Sequence, residues 1–127
     1  MSLLVTVAAY SQVVMGYMFE GLHPTKAQFE KMTHIGISFI QASDTLGNVK
    51  LTEKWENIDA VIKDAHANKT KALISFGGGG YTITKGLVGS PKNRANLIKN
   101  LVAFVKKHNL DGIDTVSYTH LTLPTTD

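Results

Sequence analysis

An α/β fold, with helices wound along a parallel sheet, is what this 127-residue sequence predicts, and three observations predict it. Short apolar runs of strand length alternate with longer stretches whose apolar residues recur at helical spacing. The helical stretches open on residues that cap helices. The apolar runs are too continuous for strands with one wet face, which points to strands covered on both sides, as in a parallel sheet. With 43% apolar residues, the chain can also build a core.

Each element has its own local reason. Val13-Val14-Met15-Gly16-Tyr17-Met18-Phe19 ends at Glu20-Gly21 and reads as the first strand, buried on both faces. Pro24-Thr25-Lys26-Ala27-Gln28 opens a helix, with Thr25 as N-cap, Gln28 placed to bond back to the cap's N–H, and Phe29 and Met32 as the apolar face. Residues 33–41 alternate β-branched and aromatic side chains and form the second strand. Residues 42–51 are a polar excursion with turn chemistry at Gly47-Asn48. A second helix is expected from about Glu53 to Asn68, capped by Thr52, with Trp55, Ile58, Val61, Ile62 and Ala65 as its apolar stripe. Trp55 fits packing against the sheet better than binding sugar. Lys71 to Phe76 is the third strand and runs into Gly77, Gly78, Gly79 and Gly80. A third helix opens at Ser90-Pro91, cap then proline, and carries Leu97, Ile98, Leu101, Val102, Phe104 and Val105 toward a core. It ends near His108-Asn109, ahead of a fourth strand, and the alternation throughout is that of right-handed α/β winding.

Composition excludes several function classes. The net charge of +3 comes from 13 Lys and Arg spread over the helices without a basic run, so nucleic acid is not an expected partner. There is no cysteine, hence no disulfide, thiolate site or thiol nucleophile. The five histidines lack the i, i+4 spacing of a helical metal site, and His66 and His108 sit where a helix C-terminus favours partial positive charge. No run is long enough to span a membrane. Residues 1–12 read either as a clipped export signal, with Ala9 and Ser11 as the small residues a signal peptidase reads, or as an early first strand, or as the result of a start codon assigned inside a longer gene. The first of these implies a secreted or periplasmic protein.

Four glycines after a strand raise the question of a phosphate loop, and the spacing answers it. Counting Gly-x-Gly-x-x-Gly from Gly77 or Gly78 puts Thr82 or Ile83 at the third glycine, and Lys85 is followed by Gly86 rather than Ser or Thr. No helix cap follows until Ser90. A crowded strand end, where side chains would collide, is the simpler reason for glycine here.

Two motifs on consecutive strands are more specific together than apart. Ser75-Phe76-Gly77-Gly78 closes the third strand, and Asp111-Gly112-Ile113-Asp114 opens the fourth. They resemble the Ser-x-Gly-Gly and Asp-x-x-Asp-x-Asp-x-Glu signatures of glycoside hydrolase family 18, the chitinase family. Gly16-Tyr17, His34-Ile35 with Ser38-Phe39, and Arg94 also fit, so the likeness spans residues 13–114. It implies a (β/α)8 TIM barrel, of which this chain would supply the first four strands and three helices. It implies a glycosidase acting on chitin or a related N-acetylglucosamine glycan by substrate-assisted catalysis, with no metal or organic cofactor. Asp111 and Asp114 are the signature's first two acids. Tyr17, Phe39, Ser75, Gly77 and Gly78 are the expected substrate-binding positions, with Tyr17 and Phe39 as a sugar-facing floor or plain core, and Gly78 leaving room for a sugar ring.

The spacing has a physical reason. Residues i, i+2 and i+4 of a strand point to one side, about 6 to 7 Å apart per step. Crowded acids raise one another's pKa and keep the last one protonated for general-acid work. Asp114 would begin that row, but Val116 and Tyr118 stand where the signature has Asp and Glu. Valine cannot hold an acetamido group, and tyrosine, with an ordinary pKa of about 10, is a poor acid for a glycosidic oxygen. Hydrolysis by this chain is therefore not expected. Two accounts of the departure stand. Residues 115–127, with five threonines and no basic residue, are similar to translated sequencing-adapter read-through and form a non-native tail. Otherwise the protein is a non-catalytic, lectin-like barrel of the same family. A half barrel also implies non-specific self-association.

Overall fold

The structure, a computed structural model, describes residues 12–51, 55–78, 87 and 89–116. The residue 1–11 segment, the Thr52 cap, Gly79, Gly80, Tyr118 and all of the tail beyond Val116 lie outside the described residues. Four strands, β1 (Met15–Phe19), β2 (His34–Ile40), β3 (Lys71–Gly77) and β4 (Gly112–Val116), pair in parallel in the order β1-β2-β3-β4. Three helices intervene: α1 (Lys26–Phe29), α2 (Ile58–Ala67) and α3 (Pro91–Lys107). Strand order that follows chain order with a helix in each connection is the winding of a (β/α)8 barrel, and this chain holds its first half.

The core lies between one face of the sheet and the helices. Met18, Ile35, Ile37, Ala72 and Ile74 alternate along β1, β2 and β3 and meet Phe29 of α1 and Ile58, Val61, Ile62 and Ala65 of α2. Ile37 and Ile74 are wholly buried, and burial of such a side chain contributes about 1.5–3 kcal/mol. A second cluster, Ala42, Leu87, Leu97 and Leu101, seats α3 and meets the first through Phe76 and Ile113.

Several expectations need correction. β1 is an edge strand of the described sheet, so its inner face is open: Tyr17 and Phe19 are more than half exposed, not buried on both faces. Val13 and Val14 lie before the strand, where Val14 exchanges bonds with Thr33 and His34. The α1 start holds as expected, with Thr25 as N-cap and Gln28 Oε1 accepting from the Thr25 N–H at 2.8 Å. Helix α2 begins at Ile58, with Asn57 as N-cap; Trp55 stands in the turn ahead of it, buried against the core. On α3, Leu97 and Leu101 are buried, but Ile98 and Val102 face away and are exposed. The Ser90 cap holds as expected, its hydroxyl accepting from the Asn93 N–H at 3.3 Å.

The histidines at helix ends do more than answer the dipole. His66 contacts Asp111 at 2.8 Å and His108 contacts Asp59 at 2.7 Å, while His23 contacts Asp64 at 2.8 Å. All three contacts tie α2 to a neighbouring segment. No described helix is long and apolar enough to cross a membrane.

Candidate functional site

The register of the sheet assembles the site. Phe19, Ser38, Ser75 and Asp114 stand abreast on β1 to β4, and alternation turns them to the face opposite the core. One step toward the strands' N-terminal ends stand Tyr17, Gly36, Leu73 and Gly112, and one step beyond Asp114 stands Val116, opposite Gly77.

Asp114 is the focus. Its Oδ2 accepts from the Tyr17 hydroxyl at 3.0 Å and from Ser75 Oγ at 3.0 Å. Three strands thus contribute to one carboxylate, held at two hydrogen bonds so that its direction is fixed. Tyr17 reaches from β1 because β2 has Gly36 opposite it: a Cβ there would lie 2.7 Å from the Tyr17 ring. Ser75 is wholly buried, and its hydroxyl donates to the Asp114 carboxylate.

The glycines have a local cause. Gly77 and Gly78 take φ of +112° and +93°, a region that favours glycine. A Cβ on Gly77 would run into the Val116 carbonyl, and one on Gly78 would lie 2.8 Å from the Phe39 ring. The space beside Gly78, expected to admit a sugar ring, is held by Phe39. Phe39 follows a cis peptide after Ser38, at the point where the β2–β3 register shifts. Its ring meets Phe19 edge to face, centroids 6.1 Å apart.

Asp111 stands elsewhere. Three residues before Asp114 on an extended chain is about 10 Å, and its Oδ2 accepts from the Ala72 N–H at 2.7 Å and contacts His66 Nε2 at 2.8 Å. Burial opposes its charge most strongly, but the Ala72 amide, His66 and Lys71 together outweigh that and hold the carboxyl below its ordinary value. Sequence reasoning did not name Phe19, Gly36 or Ser38 as site residues, although Ser38 stood among those that carry the family likeness. Period-two spacing from Tyr17 points to Phe19, and a lone glycine inside a β-branched strand signals a close approach at Gly36. Among the described residues no group of three or more His, Asp or Glu side chains could hold a metal ion.

A parallel sheet wound with helices, carrying a hydrogen-bonded acid at the C-terminal ends of its strands, defines half of a (β/α)8 barrel with its polar groups where such barrels keep their active sites. The chain belongs to the glycosyl hydrolases family 18, whose sequence profile matches residues 10–116. A chitinase-like effector of Moniliophthora perniciosa is 29% identical over 102 residues, covering 78% of this chain and 23% of that protein. A class V chitinase of Lotus japonicus is 29% identical over 86 residues, 65% of this chain and 22% of that one. Among solved structures, a chitinase from Bacteroides thetaiotaomicron superposes with a TM-score of 0.69 at 27% identity, covering 85% of this chain and 37% of that chain. This chain therefore spans under a quarter of the length of those curated relatives and little more than a third of that structure.

Proposed function

We propose that the chain carries the approach to the active site of a chitinase-like glycosidase whose parent cleaves β-1,4-linked N-acetylglucosamine polymers with retention, and that the chain as given is inactive. The observation that supports this reading is the Asp114 carboxylate held by Tyr17 and Ser75 at the strand ends of a family 18 sheet. In that scheme the substrate's acetamido oxygen attacks its own anomeric carbon, and a protein carboxylic acid protonates the leaving oxygen. Asp114 begins the row of acids, and its two hydroxyl donors fix its direction against that row. Tyr17 and Phe39 form the floor beside it. Asp111, bound to the Ala72 amide and His66, serves the strand's start and takes no part in the chemistry. The row then stops, because Val116 follows where a second acid is needed and Tyr118 stands where the proton donor belongs. We further propose that residues 13–114 are the native barrel portion, that 115–127 are a non-native tail, and that the parent is secreted or periplasmic.

Incubation of the purified chain with tetra-N-acetylchitotetraose is expected to release no shorter sugar, and measurable release overturns the inactive assignment. The second reading, a lectin-like barrel that binds glycan without chemistry, is favoured by Val116, which continues β4 in the row that would carry the second acid. The source DNA separates the two. Codons for Asp and Glu two and four positions after Asp114 mean an enzyme, and an intact longer gene that keeps Val116 and Tyr118 means a binder.

A further inference from the structure

At the N-terminal ends of the strands, opposite the Asp114 row, α1 hands over to β2, α2 to β3 and α3 to β4. These three neighbouring turns carry Lys31, Lys69, Lys71, Lys106 and Lys107, all exposed. We propose that this face is a docking surface for a polyanionic polysaccharide, which it holds while leaving the Asp114 end of the sheet free. It uses none of the residues of the glycan reading above and stands or falls apart from it.

The fold gathers charge that the sequence spreads out. Residues 30–34, 67–71 and 106–111 hold those five lysines and two acids, Glu30 and Asp111, and the surplus of three equals the formal net charge of the whole chain, +3. Both acids are already engaged. Glu30 bridges Lys26 at 2.8 Å, and Asp111 accepts from the Ala72 amide and contacts His66. Among the described residues no carboxylate forms an ion pair with Lys31, Lys69, Lys106 or Lys107. Adjacent strands lie about 4.8 Å apart, so the starts of β2 and β4 are separated by about 10 Å, close to the Debye length of about 8 Å in physiological salt. The lysines therefore present one field to a ligand. A cation in a helix's last turn also answers the macrodipole, but α2 and α3 bring only about half a negative charge each to this end, which leaves most of the surplus.

Lys69 points the same way. It holds a left-handed backbone at φ 60°, where glycine is less strained, and no contact within the described fold repays that conformation. The composition of the face selects the partner. Its three segments contain no Phe, Tyr, Trp or Arg, so it offers neither the stacking platform of a single-strand nucleic-acid groove nor the guanidinium fork that reads a phosphate. It also lacks the amphipathic helix that enters a lipid surface. Lysine ammoniums are mobile point charges, suited to a chain of repeated anions without a fixed pose. The exposed Asn109 among them offers an amide to a sugar hydroxyl.

The test titrates the full chain into fluorescein-labelled heparin and follows anisotropy, with labelled dextran as the uncharged control. Saturable binding to heparin and none to dextran is expected, and binding should weaken about twentyfold from about 50 to 200 mM salt, the dependence of about three released counterions. Paired Lys69→Gln and Lys107→Gln should weaken binding about fivefold at the lower salt, with circular dichroism unchanged. Paired Lys50→Gln and Lys92→Gln remove the same charge from the excursion and the start of α3, and should leave binding within about twofold. Equal losses from the two pairs would mean that net charge alone is read, which overturns the surface. Absence of heparin binding at the lower salt overturns it as well. Tighter binding to phosphatidylglycerol vesicles or to DNA than to heparin overturns the polysaccharide assignment. The sugar-release test above is untouched by each of these results.

Discussion

At the scale of single residues, the two acids of one short motif do different work, and their surroundings decide which. Asp114 takes hydroxyl donors from two other strands, Tyr17 at 3.0 Å and Ser75 at 3.0 Å. Because Ser75 is wholly buried and Tyr17 half exposed, their losses should differ. Tyr17→Phe leaves the ring in place and should cost about 0.5–1.5 kcal/mol, whereas Ser75→Ala removes a buried donor from a carboxylate and should cost about 1–3 kcal/mol. Urea denaturation of both variants checks the order, and a larger loss for Tyr17→Phe would contradict it. Asp111 instead serves the fold. Its folded-state pKa lies below the ordinary carboxylate value, so the unfolded chain takes up the proton first as pH falls. The stability it contributes is present above about pH 4, the unfolded value, and is lost as pH falls through the lower folded value. Comparing thermal unfolding of the parent chain and Asp111→Ala from pH 7 to 2.5, the difference should shrink only below about pH 4. The sequence shows both acids and their spacing. It cannot show that one meets Ala72 and His66, because those partners arrive from 39 and 45 residues away.

At the scale of elements, what could be read from the sequence was whatever is local. Ser90-Pro91 opens α3 where the cap chemistry puts it, and the alternation in 33–41 becomes β2. Misplaced ends have tertiary causes: Trp55 joins the core from a turn rather than from the helix, and β1 starts late because its pairing with β2 starts at Met15. The site's glycines were legible as crowding, but not the neighbour that crowds them, since the Phe39 ring and the Val116 carbonyl belong to other strands. One regularity joins two of the βα units. Both α2 and α3 leave through a left-handed residue, Lys69 at φ 60° and Asn109 at φ 54°. In each the next amide, Thr70 or Leu110, bonds back to the carbonyl of Ala65 or Val105, at 2.9 and 3.0 Å. With the Lys69 and Asn109 amides donating to the His66 and Lys106 carbonyls at 3.0 and 3.4 Å, each end is a Schellman turn that aims the chain straight into β3 or β4. Asparagine tolerates that conformation, but an exposed lysine gains nothing in return for it. Lys69→Gly should therefore stabilise the chain by about 0.5–1 kcal/mol, seen as a higher melting temperature, and Asn109→Gly by less.

At the scale of the whole molecule, a four-stranded half of a closed barrel keeps what a complete barrel hides. Within the described residues β1 and β4 are the two ends of the sheet, and each has a hydrogen-bonded neighbour on one side only. Open edges of parallel strands carry unpaired N–H and C=O groups that can template pairing with another chain. Apolar surface adds to this. Phe19 and Tyr17 on the inner face, and Ile98 and Val102 on the outer side of α3, are exposed where a barrel would place further strands and helices. Such patches favour association, and the net charge of +3 is too small to oppose it strongly. The chain is expected to self-associate in a concentration-dependent way. Sedimentation velocity over a hundredfold range of concentration should show the weight-average coefficient rising, and added salt should not reverse the trend, since apolar contact rather than charge drives it. Replacing Ile98 and Val102 together by Ser should reduce the rise without loss of helical signal. A single sharp monomer boundary throughout, with cooperative thermal unfolding, would mean that the half barrel covers its own edges.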